Sequence, residues 1–153
     1  MSLQSRILVA LLFTGTFVSG ATLSIGSAAC APEQSVTLDV TWSAEGASAT
    51  DVQFDVEYDS TALSITPTAG KAAGAAAKVI QVSNPQTGRK RILITGLNQN
   101  LIGDGQLVVL TVSVKAGASG TQALKPGAAV WSDKAGKSTA LPATNGAVDL
   151  GGK

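Results

Sequence analysis

Apolar residues recur at every second position through much of the chain. Val36, Leu38, Val40 and Trp42 alternate with Thr37, Asp39 and Thr41, and Val52, Phe54, Val56 and Tyr58 alternate with Gln53, Asp55 and Glu57. Successive side chains on a strand point to opposite faces, so each run predicts a half-buried β-strand. Leu63 and Ile65 begin a third strand, which Pro67 is expected to end because proline cannot donate to a ladder. Residues 78–83 and 90–95 predict two more, joined as a hairpin through Asn84 to Gly88. Residues 107–114 are the longest candidate, with apolar side chains in both phases. Short strands are expected at Gln122 to Leu124 and Ala129 to Trp131, around Pro126-Gly127, and at Val148 to Leu150 after the turn signal Asn145-Gly146. Residues 69–77 are almost wholly Ala and Gly. Glycine and short length both work against an isolated helix, so a flexible loop is expected there, with one helical turn as the alternative. About nine short strands with almost no helix predict an all-β fold, a nine-stranded antiparallel β-sandwich with jelly-roll topology.

The first 29 residues break this pattern. Arg6 precedes a continuous apolar run over residues 7–13, and small residues follow as far as Ser27-Ala28-Ala29. That is the pattern of a secretory signal peptide. The run is shorter than the roughly 20 residues of a membrane span. The expected organisation is a signal peptide over 1–29, a linker over 30–34, one β domain over 35–150 and a tail over 151–153. A cut after Ala29 would leave Cys30 as the first mature residue, free or lipidated. The expected location is secreted or cell envelope, with membrane contact only if Cys30 carries lipid.

Composition then narrows the chemistry. The chain has 153 residues, 44% hydrophobic and 14% charged, against about 25% charged in ordinary globular chains. Lys+Arg 11 against Asp+Glu 10 gives a net charge of +1, too weak a footprint for nucleic acid. Histidine is absent, which removes imidazole acid/base chemistry and imidazole metal ligation. A single cysteine excludes an internal disulfide and a cysteine-cluster zinc site. Neither a Gly-x-Ser-x-Gly elbow nor a Ser-x-x-Lys motif is present. The chain reads as non-enzymatic, with no cofactor and no metal expected.

Several residues remain as candidates for recognition. Asp55 and Glu57 share an outward phase and could bind calcium or pair as acid and base; the plainer reading is a solvated strand face. Asp59 reads as a turn cap. Trp42 is in phase with the core positions of its strand, whereas Trp131 is the better candidate to stack on a sugar ring. Arg89-Lys90-Arg91 either meets an acidic partner or guards a hairpin. The two-sided apolarity of 91–95 and 107–114 leaves Leu93, Thr95, Leu107, Val109 and Thr111 as candidates for a protein-binding face, unless the 69–77 segment covers them.

The order of the segments resembles the cohesin domain. Residues 35–42 look like its opening strand. Residues 52–59, with Tyr58-Asp59 followed by Leu63 and Ile65, are similar to its most recognisable stretch. Gly103-Asp104-Gly105 leading into 107–114, and Thr144 to Leu150, are similar to its central and closing strands. The resemblance covers roughly 35–150. It implies a nine-stranded jelly roll that binds calcium-loaded dockerin modules, kinship with carbohydrate-binding modules, and a link to polysaccharide breakdown. It also implies that strands like 91–95 and 107–114 contribute to the dockerin-binding sheet. Carbohydrate or cell-surface adhesion through a Trp131-bearing face is the alternative.

Overall fold

The computed structural model describes residues 20–151. In chain order the strands are β1 (Thr22–Ile25), β2 (Ser27–Ala29), β3 (Ser35–Ser43), β4 (Asp51–Glu57), β5 (Leu63–Ala69), β6 (Val79–Gln86), β7 (Arg89–Thr95), β8 (Gly105–Val114), β9 (Thr121–Ser132), β10 (Ser138–Ala140), β11 (Ala143–Thr144) and β12 (Gly146–Asp149). One helix, α1 (Lys71–Ala75), lies between β5 and β6. The first sheet has the order β11-β1-β3-β8-β5. The second runs β2-β12-β9-β4-β7-β6, with β10 beside β9. The chain changes sheet at almost every connection, as a sandwich requires when each strand has one apolar face to cover.

That covering is direct. Leu38, Val40 and Trp42 of β3, Leu63 and Ile65 of β5 and Leu110 and Val112 of β8 are buried from the first sheet. Val52, Phe54 and Val56 of β4, Ile92 and Ile94 of β7 and Leu124 of β9 meet them from the second. Each such side chain contributes about 1.5–3 kcal/mol by leaving water. The indole Nε1 of Trp42 donates to the Ile102 carbonyl at 3.1 Å, so the largest core residue leaves no polar atom unpaired.

The sandwich is all-β as the periodicity predicts, but five local expectations change. The described residues hold twelve strands, and two of their pairings are parallel: β1 with β11, and β12 with β2. Strand β5 runs through Pro67, which pairs opposite Leu110. Because β5 is an edge strand, the missing donor costs no ladder bond. The 69–77 segment holds α1, whose Ala72 and Ala73 methyls are buried, as is Ala76 just beyond it. Packing against β8 supplies what intrinsic propensity lacks. The two short strands around Pro126-Gly127 form one strand, β9. Its register against β4 slips between Gln53 and Asp55, and Ala128 takes φ 47° there.

The fifth change is at the N-terminal end. The folded domain begins well before residue 35. Strand β1 pairs with β3, and Ala21, Leu23 and Ile25 sit in the core. Cys30, expected at a free end, is 8% exposed, and its amide donates to the Asp149 carbonyl at 2.9 Å. The apolar run at 7–13 lies outside the described residues. At the other end Asn145-Gly146 is no hairpin turn. It is the point where the chain passes from β11 to β12, directly against Gly26 and Ile25, and any side chain at Gly146 would collide with their backbone.

Candidate functional site

Register across the second sheet builds its outward face row by row. Gln53 of β4 lies between Val130 of β9 and Leu93 of β7, and Leu93 faces Gln81 of β6. Thr95 pairs with Val79 in the same phase. Apart from Asp51 at its far end, opposite Ser132 of β9, these rows carry no charge. Val79 is 57% exposed, and Leu93 and Val130 are half-buried. A shallow depression of about 260 Å³ opens between Gln53, Gln81, Ser83, Leu93 and, at its border with the charged half, Arg91. A larger one, about 720 Å³, lies alongside and is lined by Val79, Gln81, Thr95 and Leu97.

Leu97 is fully exposed on the loop after β7. The loop is braced. Lys78, itself buried, donates through Nζ to Asn98 Oδ1 at 2.7 Å and to the Asn98 carbonyl at 3.2 Å. Asn98 Nδ2 donates to the Ala77 carbonyl and Asn100 Nδ2 to the Ala76 carbonyl, both at 3.1 Å. Four hydrogen bonds therefore hold a large apolar side chain in water. Holding it there lowers the entropy cost of a contact that buries it.

The other half of the face is charged, and its two carboxylates are paired with two arginines. Asp55 pairs across to Arg91, and Glu57 to Arg89. Arg91 grips Asp55 as a fork, Nε to Oδ1 at 2.8 Å and Nη2 to Oδ2 at 3.0 Å. Arg89 Nη1 donates to Asp55 Oδ2 at 3.0 Å, and its Nη2 donates to Glu57 Oε2. The two guanidinium groups roof the carboxylate, so an outward-phase side chain is only 1% exposed. The Arg91 hydrogen bond leads in holding the Asp55 carboxyl below the ordinary carboxylate range; desolvation opposes it, and the charges of both arginines assist. Asp55 raises the Arg91 guanidinium in return, through the same bond. Asp55 is thus no part of a solvated face. The basic cluster is also split, because Lys90 lies in the opposite phase, across from Val56. Asp59 acts as the expected cap: its Oδ1 accepts from Thr61 N at 2.9 Å and Thr61 Oγ1 at 2.6 Å, and the hydroxyl bond leads in lowering its carboxyl.

The five candidate recognition residues do not meet. Leu93 and Thr95 belong to the second sheet, whereas Leu107, Val109 and Thr111 belong to the first. Leu107 is fully buried. The register between β3 and β8 slips at Val40/Thr41, leaving Leu107 as the extra, unpaired residue of a bulge, and its carbonyl accepts from Gly70 N just ahead of α1. Val109 and Thr111 do point outward, into rows with Asp39 and Thr68 and with Thr37 and Thr66. Together with Ser35, Ser64 and Ser113 these make a hydroxyl-lined face with one half-buried apolar side chain among them. Trp131 pairs opposite Val52, so it lies on the inward side, half-buried against the core, with its indole N–H enclosed and unpartnered. It offers no stacking platform.

Sequence reasoning passed over Val79, Gln81, Gln53, Val130 and Leu97. One signal for Leu97 was legible: a lone leucine between Gly96 and Asn98 in a polar loop.

A profile of the cohesin domain matches residues 21–150. No curated protein sequence matches the chain. Among solved structures, a cohesin from Clostridium acetobutylicum superposes with a TM-score of 0.75 at 20% identity, over 88% of this chain and 93% of that one. The sixth cohesin of scaffoldin B from Acetivibrio cellulolyticus, solved in complex with a dockerin, gives 0.72 at 23% identity over 86% and 99%. A non-cellulosomal cohesin from the archaeon Archaeoglobus fulgidus gives 0.70 at 17% identity over 84% and 88%. At these identities the likeness is one of fold.

Proposed function

Since this chain belongs to the cohesin domain family, we propose that it is a non-catalytic, exported binding module that recognises a dockerin-type protein through the outward face of its second sheet. The observation that carries the choice of face is the contrast between the two sheets. One presents hydroxyls; the other presents Val79, Leu93 and Val130 among the amides of Gln53 and Gln81, with Leu97 held beside them. An interface needs an apolar centre and a polar rim. The half built on Val79, Gln53, Gln81 and Leu93 supplies the centre, and the Asp55–Arg91–Arg89–Glu57 cluster supplies a rim already paired before binding. A pre-formed rim orients a partner without charging it the ordering of those side chains. The neighbour from Acetivibrio cellulolyticus was solved with a dockerin bound, which supports the same class of partner.

The test is isothermal titration against a panel of calcium-loaded dockerin modules, beside a polysaccharide panel. Leu93→Asp and Val79→Asp should each weaken dockerin binding at least tenfold while leaving the thermal unfolding midpoint nearly unchanged. Val109→Asp, on the hydroxyl face, should bind as the wild type does. Equal loss in all three variants, or loss in Val109→Asp alone, would move the interface to the other sheet. Binding to a polysaccharide with no dockerin response would replace the protein-binding reading.

A further inference from the structure

The geometry points to a processing site that differs from the one the sequence first suggests: we infer that the leader is removed by hydrolysis of the Gly20–Ala21 peptide bond. The inference rests on the export reading above. A cut after Ala29 would remove β1 and β2. Those strands carry Leu23, 1% exposed, and Ile25, 4% exposed, and β1 lies between β3 and β11 in the first sheet. Cys30 would then be a chain end, yet its side chain is buried and its amide is spent on Asp149. Lipid on Cys30 would demand the same cut and would place an acyl chain in the sandwich.

The folded domain therefore sets a limit: the cut falls before its first buried residue, Ala21, 1% exposed. A secretory leader ends in small residues at its cleavage site, after the apolar stretch. Following the apolar stretch that ends in Phe17-Val18, Ser19-Gly20 supplies such residues immediately before the bond. Cutting one residue later would discard the Ala21 methyl from the core. In the step itself a water adds across the bond. Gly20 departs as a carboxylate and Ala21 is left as a free amine. Glu45 lies beside this point, since a Cβ built on Gly20 would stand 3.0 Å from Glu45 Oε1.

The experiment expresses the full chain in a secreting bacterium and reads intact mass and N-terminal sequence in the exported and membrane fractions. The expected product begins Ala21-Thr22-Leu23. Gly20→Leu should reduce processing at least tenfold, whereas Ala29→Leu should be processed normally. A product beginning at Thr22 or Cys30, lipid mass on Cys30, or normal processing of Gly20→Leu would overturn the assignment and leave export standing. A wild-type chain that stays unprocessed in every fraction would overturn the export reading, and this assignment with it.

Discussion

Replacing Asp55 with asparagine should destabilise the domain by about 2–3 kcal/mol at pH 7. Asp55 accepts three hydrogen bonds from two guanidinium groups. A hydrogen bond to a charged group contributes roughly 1.5–3 kcal/mol, but bonds sharing one acceptor group do not add in full. Removing one member of a buried ion pair costs about 3–5 kcal/mol when the other is left without solvent. Here the arginine side chains are 27% and 41% exposed and can turn to water, so the cost falls below that range, to about 2–3 kcal/mol. Asparagine keeps the shape and one acceptor oxygen while removing the charge. The pH dependence gives the sharper reading. The folded carboxyl is held below its ordinary range, chiefly by the Arg91 hydrogen bond. A group depressed on folding contributes its full stability above the unfolded value, about 3.9 for Asp, and loses it as pH falls through the folded one. Asparagine does not titrate. The gap between wild type and Asp55→Asn should therefore be constant from about pH 7 to 5 and shrink steadily below about pH 4. Urea melts at fixed ionic strength, read by tryptophan fluorescence, measure both. A gap under about 0.5 kcal/mol at pH 7, or one unchanged at about pH 2.5, would refute the idea that this carboxylate is held ionised by the arginines.

Two further outcomes follow from the N-terminal strands. A chain beginning at Cys30 should lose at least about 4 kcal/mol relative to one beginning at Ala21, because Leu23 and Ile25 each contribute about 1.5–3 kcal/mol and the edge of β3 is stripped; calorimetric midpoints within about 2 °C of each other would contradict this. Cys30→Ala should cost about 1 kcal/mol through the small void it leaves, reductant should not alter the midpoint, and a thiol reagent should label the native thiol far more slowly than the denatured one. Equal labelling rates would show that Cys30 is not packed as described.

What the sequence made legible was whatever alternation encodes. The runs 36–42 and 52–58 gave β3 and β4 with the right inward faces, and Trp42 and Phe54 are buried as their phase requires. Phase failed where a bulge resets it. Leu107 and Val109 share a phase in the sequence, yet only Val109 points outward, because the slip at Val40/Thr41 turns Leu107 in. Pairing across the sandwich was equally hidden. Leu93 and Val109 read alike as surplus apolar residues, and nothing local says that their strands lie in different sheets. For residues 22–29 a real strand pattern, Leu23 and Ile25 alternating with Thr22 and Ser24, stood too close to an export-like stretch to be separated from it by composition. Asp55 was assigned the correct face and the wrong environment, since solvent is excluded there by side chains from a neighbouring strand.

The two parallel pairings at the ends of the domain have a mechanical meaning. Strand β1 runs alongside β11, and β2 alongside β12, in the same direction. Pulling the domain by its two termini draws the start of β1 one way and the end of β12 the other. Force enters one ladder at the start of β1 and leaves it at the end of β11, and enters the other at the start of β2 and leaves it at the end of β12; in parallel strands those points lie at opposite ends of each ladder. The tension is then spread along the strands in shear, so the interstrand hydrogen bonds resist together. In an antiparallel hairpin pulled from its mouth they would open one after another. Forced rupture is governed by the rate of unfolding rather than by equilibrium stability. The direction of four short strands therefore sets how the domain meets tension applied between its ends.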